Sequence, residues 1–205
     1  VAKIDTFVMT ILGNDLYNMD GWYQLGVQYL LDGSIKAEEG KLMAEMNLAD
    51  VMRKKVIRTF QVRGEYQNLR ALAHAIADEV VLGFTGQKGI FSTQIAYVNW
   101  AGGNKEINLC DYDGYNYRPL TSDLSLNLSP VWSPNGSQMI YTSYKRHNVD
   151  LWVMDMKTRQ SKIFTSFPGL NSAAAWSPDG QYVAVTLTKD GNAEIYLVNP
   201  EGKMV

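Results

Sequence analysis

A short turn sequence occurs twice in the second half of the chain, and its spacing is the strongest constraint on the fold. The sequences WSPNG and WSPDG begin at Trp132 and Trp176, 44 residues apart. The match extends beyond the turns, because the apolar run 151–154 falls on 195–198 in the same register, and an earlier copy covers 95–121. Regular self-similarity at this interval is typical of repeat architectures.

Each repeat predicts four short strands with turns between them. Pro134 fixes the φ angle of the first turn, and Asn135-Gly136 supply the left-handed residues that a chain reversal requires. The strands predicted in this repeat are 128–132, 138–143, 149–154 and 161–165. Four strands in about 40–45 residues is the interval of a β-propeller blade. The sequence therefore predicts a partial β-propeller over 90–205, with about two to three blades covered.

The first repeat lacks its opening strand, because the position equivalent to Trp132 is occupied by Lys88. The third repeat is interrupted at Val205. Closed propellers usually have four to eight blades, and unpaired strand edges favour aggregation. We therefore expect these 205 residues to be part of a longer protein.

The first part of the chain, 1–89, predicts a separate α/β domain. Three apolar or alternating segments are typical of strands: 25–35, 41–50 and 56–63. We expect the first of these to be a buried strand. A helix is predicted over 66–82, with an apolar stripe that packs on the strands and consists of Leu69, Leu72, Ile76 and Val80. Ahead of these elements, an apolar run at 8–12 precedes a turn at 13–15. The predicted class is an α+β amino-terminal domain followed by a propeller.

Composition excludes several kinds of partner. The net charge is −2 and no basic stripe is present, so we expect no nucleic-acid binding. No run of 18 apolar residues occurs, so no membrane span is predicted and any membrane association would be peripheral. The single cysteine, Cys110, aligns with apolar strand positions and is expected to be buried.

Residue patterns for catalysis or metal binding do not occur. His74 and His147 have no second histidine or cysteine at metal-ligand spacing. The G-x-S-x-G turn of common serine hydrolases is missing from the sequence. We therefore predict no catalytic residue, no metal site and no cofactor in these residues.

Several segments together carry a resemblance to the TolB family. The run ADEVVLGFTGQKGIFSTQIAYVN (77–99) resembles the junction that leads into the TolB propeller, and CDYDGYN (110–116) and SFPGLNSAAAWSPDG (166–180) resemble its blades. The similarity covers roughly 21–205, with the motifs in the same order. It implies a periplasmic, non-enzymatic protein of the Tol–Pal envelope system, with an α/β domain and a six-bladed propeller.

The resemblance also implies partners and a binding face. They are a Pal-type peptidoglycan-associated lipoprotein at the propeller mouth and a TolA-like inner-membrane protein, whose contact segment is not assigned to residues here. In the family, the loops that join consecutive blades meet Pal. The expected binding residues are Phe167, Leu170, Asn171, Ser172 and Ala173 in one loop, with Leu126 and Asn127 in the other.

One alternative remains open at the level of sequence. The propeller could be the gating fragment of a serine peptidase of the prolyl oligopeptidase type, with its catalytic domain outside these residues. Such a peptidase would carry an α/β-hydrolase domain, whereas a TolB-like protein would end shortly after its sixth blade.

Overall fold

Antiparallel sheets dominate the computed structural model, which describes residues 6–7, 19–38 and 40–205. The apolar run 8–12 and the turn 13–15 lie outside the described residues. Two compact units are formed, Val1–Thr93 and Gln94–Val205. The elements of the first unit are β1 (Thr6–Phe7), α1 (Met19–Gln24), β2 (Tyr29–Glu38), β3 (Lys41–Asp50), β4 (Lys55–Glu65) and α2 (Leu69–Thr85).

In the first unit, α2 packs on one face of a sheet with the strand order β1-β2-β3-β4. The alternation predicted for 41–50 is confirmed, because four side chains of one β3 face are buried: Leu42, Ala44, Met46 and Leu48. Phe60 and Val62 of β4 and Leu72 of α2 complete this core. The helix approaches β3 closely at Gly83, where a Cβ atom would lie 2.9 Å from Leu48 Cδ2.

Two details of the first unit differ from the prediction. The strand expected at 25–35 begins at Tyr29 and is not buried, since Tyr29 and Leu31 are both exposed. Residues 25–28 form a turn after α1, which displaces the strand toward the carboxyl end. Leu69 was expected in the helix core but is 63% exposed, because it is the first residue of α2 and precedes the turn that meets the sheet.

The ends of α2 follow ordinary capping chemistry. Asn68 caps the start of α2, accepting a hydrogen bond from the Ala71 backbone N–H at 3.1 Å. Gly86 ends the helix in the left-handed region with φ +74°, and its N–H donates to the Leu82 carbonyl. The helix Leu69–Thr85 therefore begins and ends three residues later than the predicted range 66–82.

A buried carboxylate holds the segment that follows α2. Asp78 is 1% exposed, and its two oxygens accept the backbone N–H groups of Phe91 at 2.7 Å and Ser92 at 3.0 Å. Gly89 passes directly over it, where a Cβ atom would lie 2.5 Å from Asp78 Oδ1. Asp78 thus fixes the residues that immediately precede β5.

The second unit consists of three antiparallel sheets. Their elements are β5 (Gln94–Ala101), β6 (Asn104–Asp111), β7 (Arg118–Pro119), β8 (Asn127–Trp132), β9 (Gln138–Ser143), β10 (Asp150–Asp155), β11 (Ser161–Thr165), β12 (Asn171–Trp176), β13 (Val183–Leu187) and β14 (Glu194–Val198). The sheets have the orders β5-β6-β7, β11-β10-β9-β8 and β12-β13-β14. Each sheet is one repeat, and residues 88–90 form no strand, as the sequence predicted. The fold class, an α+β unit followed by a partial propeller, is confirmed.

Consecutive sheets pack face to face. One core cluster joins the second and third sheets through residues such as Ile140, Val153 and Val185, and another joins the first and second through Ile107 and Tyr141. Trp132 and Trp176 end β8 and β12, and both are partly buried against these clusters. Cys110 is buried in β6, as expected.

The repeated WSP turns close through a side chain. In the turn that follows β12, Ser177 Oγ donates to Asp179 Oδ1 at 2.5 Å, and the Gln181 N–H donates to the same oxygen. The Ser177 hydrogen bond, with that of Gln181, holds the pKa of Asp179 below its ordinary value. Asn135 takes the equivalent role after β8, accepting from Ser133 Oγ at 2.8 Å. These residues are therefore structural.

The Asp78 contacts predict a large effect of Asp78→Ala on stability. The substitution removes the acceptor of two part-buried backbone hydrogen bonds, and hydrogen bonds to charged groups contribute about 1.5–3 kcal/mol each. We expect the free energy of unfolding of the first unit, measured in urea, to fall by roughly 2–4 kcal/mol. Asp20→Ala, which removes an exposed carboxylate paired with Lys54, should change it by less than about 0.5 kcal/mol. If both variants lower the free energy of unfolding equally, Asp78 does not hold the segment that follows α2.

Candidate functional site

The antiparallel order of the strands in the second unit brings five connecting segments to one end. We call it the junction end, because it includes both loops that join consecutive sheets, 120–126 and 166–170. The other three segments are the hairpin connections 102–103, 144–149 and 188–193. The WSP turns lie at the opposite end, which we call the turn end. The binding residues expected from the sequence all lie in or next to the two joining loops.

Both joining loops are bonded to the hairpin of the next strand pair in the same way. The Leu126 carbonyl accepts the Tyr144 N–H at 3.0 Å, and the Leu170 carbonyl accepts the Thr188 N–H at 3.1 Å. These two pairs are separated by the same 44 residues as the WSP turns. The loops are therefore part of the repeat and have a defined backbone path.

A buried asparagine organises the second joining loop. Asn171, the first residue of β12, has no exposed surface. Its Oδ1 accepts the Phe167 N–H at 2.9 Å, and its Nδ2 lies within hydrogen-bond distance of the carbonyls of Phe167 (2.8 Å), Val149 (3.0 Å) and Gly169 (3.2 Å). The Leu170 N–H donates to Thr188 Oγ1 at 2.8 Å. The side chains of Asn171 and Thr188 thus hold the backbone of loop 166–170.

Asn127, the first residue of β8, is the equivalent of Asn171 at the first joining loop. It also has no exposed surface. Its Nδ2 donates to Glu106 Oε2 at 3.0 Å and to Asp123 Oδ1 at 2.7 Å. Glu106 is itself nearly buried, and it also accepts from Thr121 Oγ1 at 2.5 Å and from the Leu124 N–H at 2.8 Å. A carboxylate therefore fixes this loop together with the asparagine.

The acidic residue at the second junction makes different contacts. Asp150 aligns with Glu106 but is one methylene shorter, and it has no exposed surface. Its Oδ1 accepts from Asn148 Nδ2 at 2.8 Å, and Asn148 also donates to the Phe167 carbonyl at 2.9 Å. Here the carboxylate holds the joining loop indirectly, through Asn148.

The strands that follow the two loops carry matching bulges. The β8 register shifts between Leu128 and Val131, and the β12 register shifts between Ser172 and Ala175. Ser129 and Ala173 adopt left-handed conformations with φ of +52° and +49°. Such angles are uncommon for residues other than glycine, and bulges frequently redirect side chains near functional sites. The bulge leaves Ala173 exposed beside loop 166–170.

The expected binding residues therefore fall into two groups. Exposed or half-buried side chains are available at the surface: Leu126, Phe167, Leu170, Ser172 and Ala173. Phe167 is also packed against the core between the second and third sheets. Asn127 and Asn171 are buried, so their side chains shape the loops from inside. Residues 144–149 lie between the two loops and are bonded to both.

Sequence reasoning did not assign roles to Glu106, Asn148 or Asp150. A signal for them exists, because the pattern asparagine, any residue, acidic residue occurs at 104–106, 148–150 and 192–194. Asn192 Nδ2 donates to Glu194 Oε1 at 2.9 Å, as Asn148 does to Asp150. At 148–150 and 192–194 the pattern thus marks a hydrogen bond between the asparagine and the acidic residue at the junction end.

Within the described residues, no group of three or more His, Cys, Asp or Glu side chains is placed to hold a metal ion. In that same part of the chain, no helix has the length and apolar character needed to cross a membrane.

The fold and its repeated junctions define the class: an α+β unit followed by sheets of a β-propeller. A family profile described as the TolB beta propeller domain matches residues 82–205. The chain therefore belongs to the TolB β-propeller family.

Relatives and a solved structure agree with this assignment. The chain is 38% identical over 144 residues to the Tol-Pal system protein TolB of Nitrosomonas europaea, and 34% identical over 125 residues to that of Desulfosudis oleivorans. These alignments cover 70% and 61% of this chain but only 34% and 28% of the relatives. The crystal structure of TolB from Acinetobacter baumannii superimposes with a TM-score of 0.80 at 28% identity, covering 89% of this chain and 47% of that one.

The contacts of Asn171 predict that Asn171→Ala destabilises the second unit. The change removes the acceptor of the Phe167 N–H and the side-chain donor to the Gly169 carbonyl, so we expect the free energy of unfolding in urea to fall by roughly 2–3 kcal/mol. The neighbouring change Ser172→Ala should cost less than about 1 kcal/mol. If Asn171→Ala unfolds at the same urea concentration as the unchanged protein, the asparagine does not organise the loop.

Proposed function

We propose that the protein is a non-enzymatic periplasmic scaffold of the Tol–Pal envelope system. In this role the junction end docks a Pal-type peptidoglycan-associated lipoprotein, and the protein links it to a TolA-like inner-membrane protein. The linkage would serve outer-membrane integrity and cell division. Membership of the TolB family and relatives named as Tol-Pal system proteins support this proposal.

The observation that carries the proposal is the closed conformation of loop 166–170. Asn171 and Thr188 hold its backbone through hydrogen bonds, while Leu170 and Ala173 remain accessible at the surface. A loop that is ordered before binding avoids part of the entropy cost of forming an interface. Such a loop is suited to recognise a folded protein domain.

The side chains of this loop fit the centre of an interface. Leu170 offers an apolar contact, and the small side chain of Ala173 lets a partner backbone come close to the bulge. Interface energy is concentrated in a few well-packed residues near the centre of the contact. We assign the centre of the interface to Leu170 and Ala173, and its rim to Leu126 of the first joining loop.

The proposal predicts that Leu170→Arg weakens binding of a Pal-type lipoprotein by at least about fivefold, because a cation replaces an apolar anchor. Ala173→Arg should have a similar effect, and Ala173 is exposed, so this variant is expected to fold normally. Isothermal titration of the full-length protein with the purified lipoprotein domain measures both affinities.

The matched control is Ile163→Arg, which places the same cation at an exposed apolar residue of β11, outside the joining loops. It should leave the affinity unchanged. Unchanged affinity for both loop variants would move the binding site elsewhere. Absence of binding by the unchanged protein would refute the proposal and favour a propeller that gates a peptidase.

A further inference from the structure

The hairpin segment 144–149 carries consecutive basic residues next to the proposed docking loop. Lys145, Arg146 and His147 follow one another, and the next residue, Asn148, donates to the Phe167 carbonyl at 2.9 Å. The Arg146 side chain is 52% exposed, and His147 is also exposed. The hairpin is therefore bonded to loop 166–170, and Arg146 and His147 are exposed on it.

The carboxylates of the junction end have partners within the protein. Glu106 and Asp150 are buried. Asp123 accepts from Asn127 and lies 3.5 Å from Lys145 Nζ. Asp190 accepts from Lys189 and from Tyr196 at 2.5 Å, and these hydrogen bonds, that of Lys189 first, lower its pKa.

Arg146 is paired less closely within the protein than Lys145 is. Lys145 Nζ lies 3.4 Å from the centre of the Trp152 ring, and its side chain is only 22% exposed. Arg146 Nη1 lies 3.9 Å from Asp150 Oδ2, which is too far for a hydrogen bond. Its guanidinium can therefore form a bidentate contact with another carboxylate.

The charge is specific to this hairpin. The residue equivalent to Arg146 in the third sheet is Asp190, and the residue equivalent to His147 is Gly191. The chain as a whole carries a net charge of −2. The exposed arginine beside loop 166–170 is thus a feature of one repeat.

We infer that the partner docked at the junction end presents carboxylates beside its apolar contact, and that Arg146 pairs with one of them. This inference rests on the proposed function and names the chemistry of its partner surface. A charge at the side of an interface acts mainly by steering the encounter, so it raises the association rate in a salt-dependent way.

The test compares Arg146→Glu with Arg159→Glu in the full-length protein. Both variants reverse an exposed arginine, but Arg159 lies in the turn 156–160 at the turn end. The probe is the purified Pal-type lipoprotein domain, and its association rate is measured by stopped flow between about 0.05 and 0.5 M salt.

We expect Arg146→Glu to lower the association rate by about fivefold to tenfold at low salt, with the difference narrowing at high salt. The association rate of Arg146→Gln should lie between those of Arg146→Glu and the unchanged protein. Arg159→Glu should have the same association rate as the unchanged protein at every salt concentration. Circular dichroism of each variant verifies folding.

Failure of this inference and failure of the proposed function give different results. If the unchanged protein binds and Arg146→Glu has the same rates and salt dependence, the inference is wrong while the proposed function stands. If the unchanged protein does not bind the lipoprotein domain, the proposed function is refuted and the inference falls with it.

Discussion

The junction end depends on a buried asparagine at the start of β8 and another at the start of β12. Asn127 and Asn171 have no exposed surface, so the side-chain N–H groups of each find acceptors inside the protein. Because buried polar groups are costly when unpaired, each asparagine bonds the loop that precedes it. That requirement fixes the loop conformation from within, independently of any partner. The surface side chains of the loop are then presented from a rigid backbone.

The two junctions reach the same result with different side chains. Glu106 bonds directly to Asn127 and to the Leu124 N–H, whereas Asp150 acts through Asn148. The shared backbone path follows from the repeat, while the exposed residues on it differ from one sheet to the next. A repeated fold can therefore carry a binding surface at one junction, because outward-facing residues can differ while the backbone path of the loop is kept.

Much of the fold could be predicted from the sequence, because two periodicities are strong. The 44-residue repeat predicted the three sheets, and the alternation of 41–50 predicted β3. Exposure was predicted less well: the apolar composition of 25–35 suggested a buried strand, but β2 has exposed apolar residues. The contacts of Glu106 and Asp150 could not be derived from spacing alone, because they depend on which loop folds back over each strand.

The central claim is that the second joining loop is ordered before a partner binds. Native-state amide hydrogen exchange of the free protein tests it directly, since the Phe167 and Leu170 N–H groups donate to side chains within the junction. The account predicts that these amides exchange as slowly as those of β12. Exchange as fast as that of the exposed residues Arg146 and His147 would contradict it.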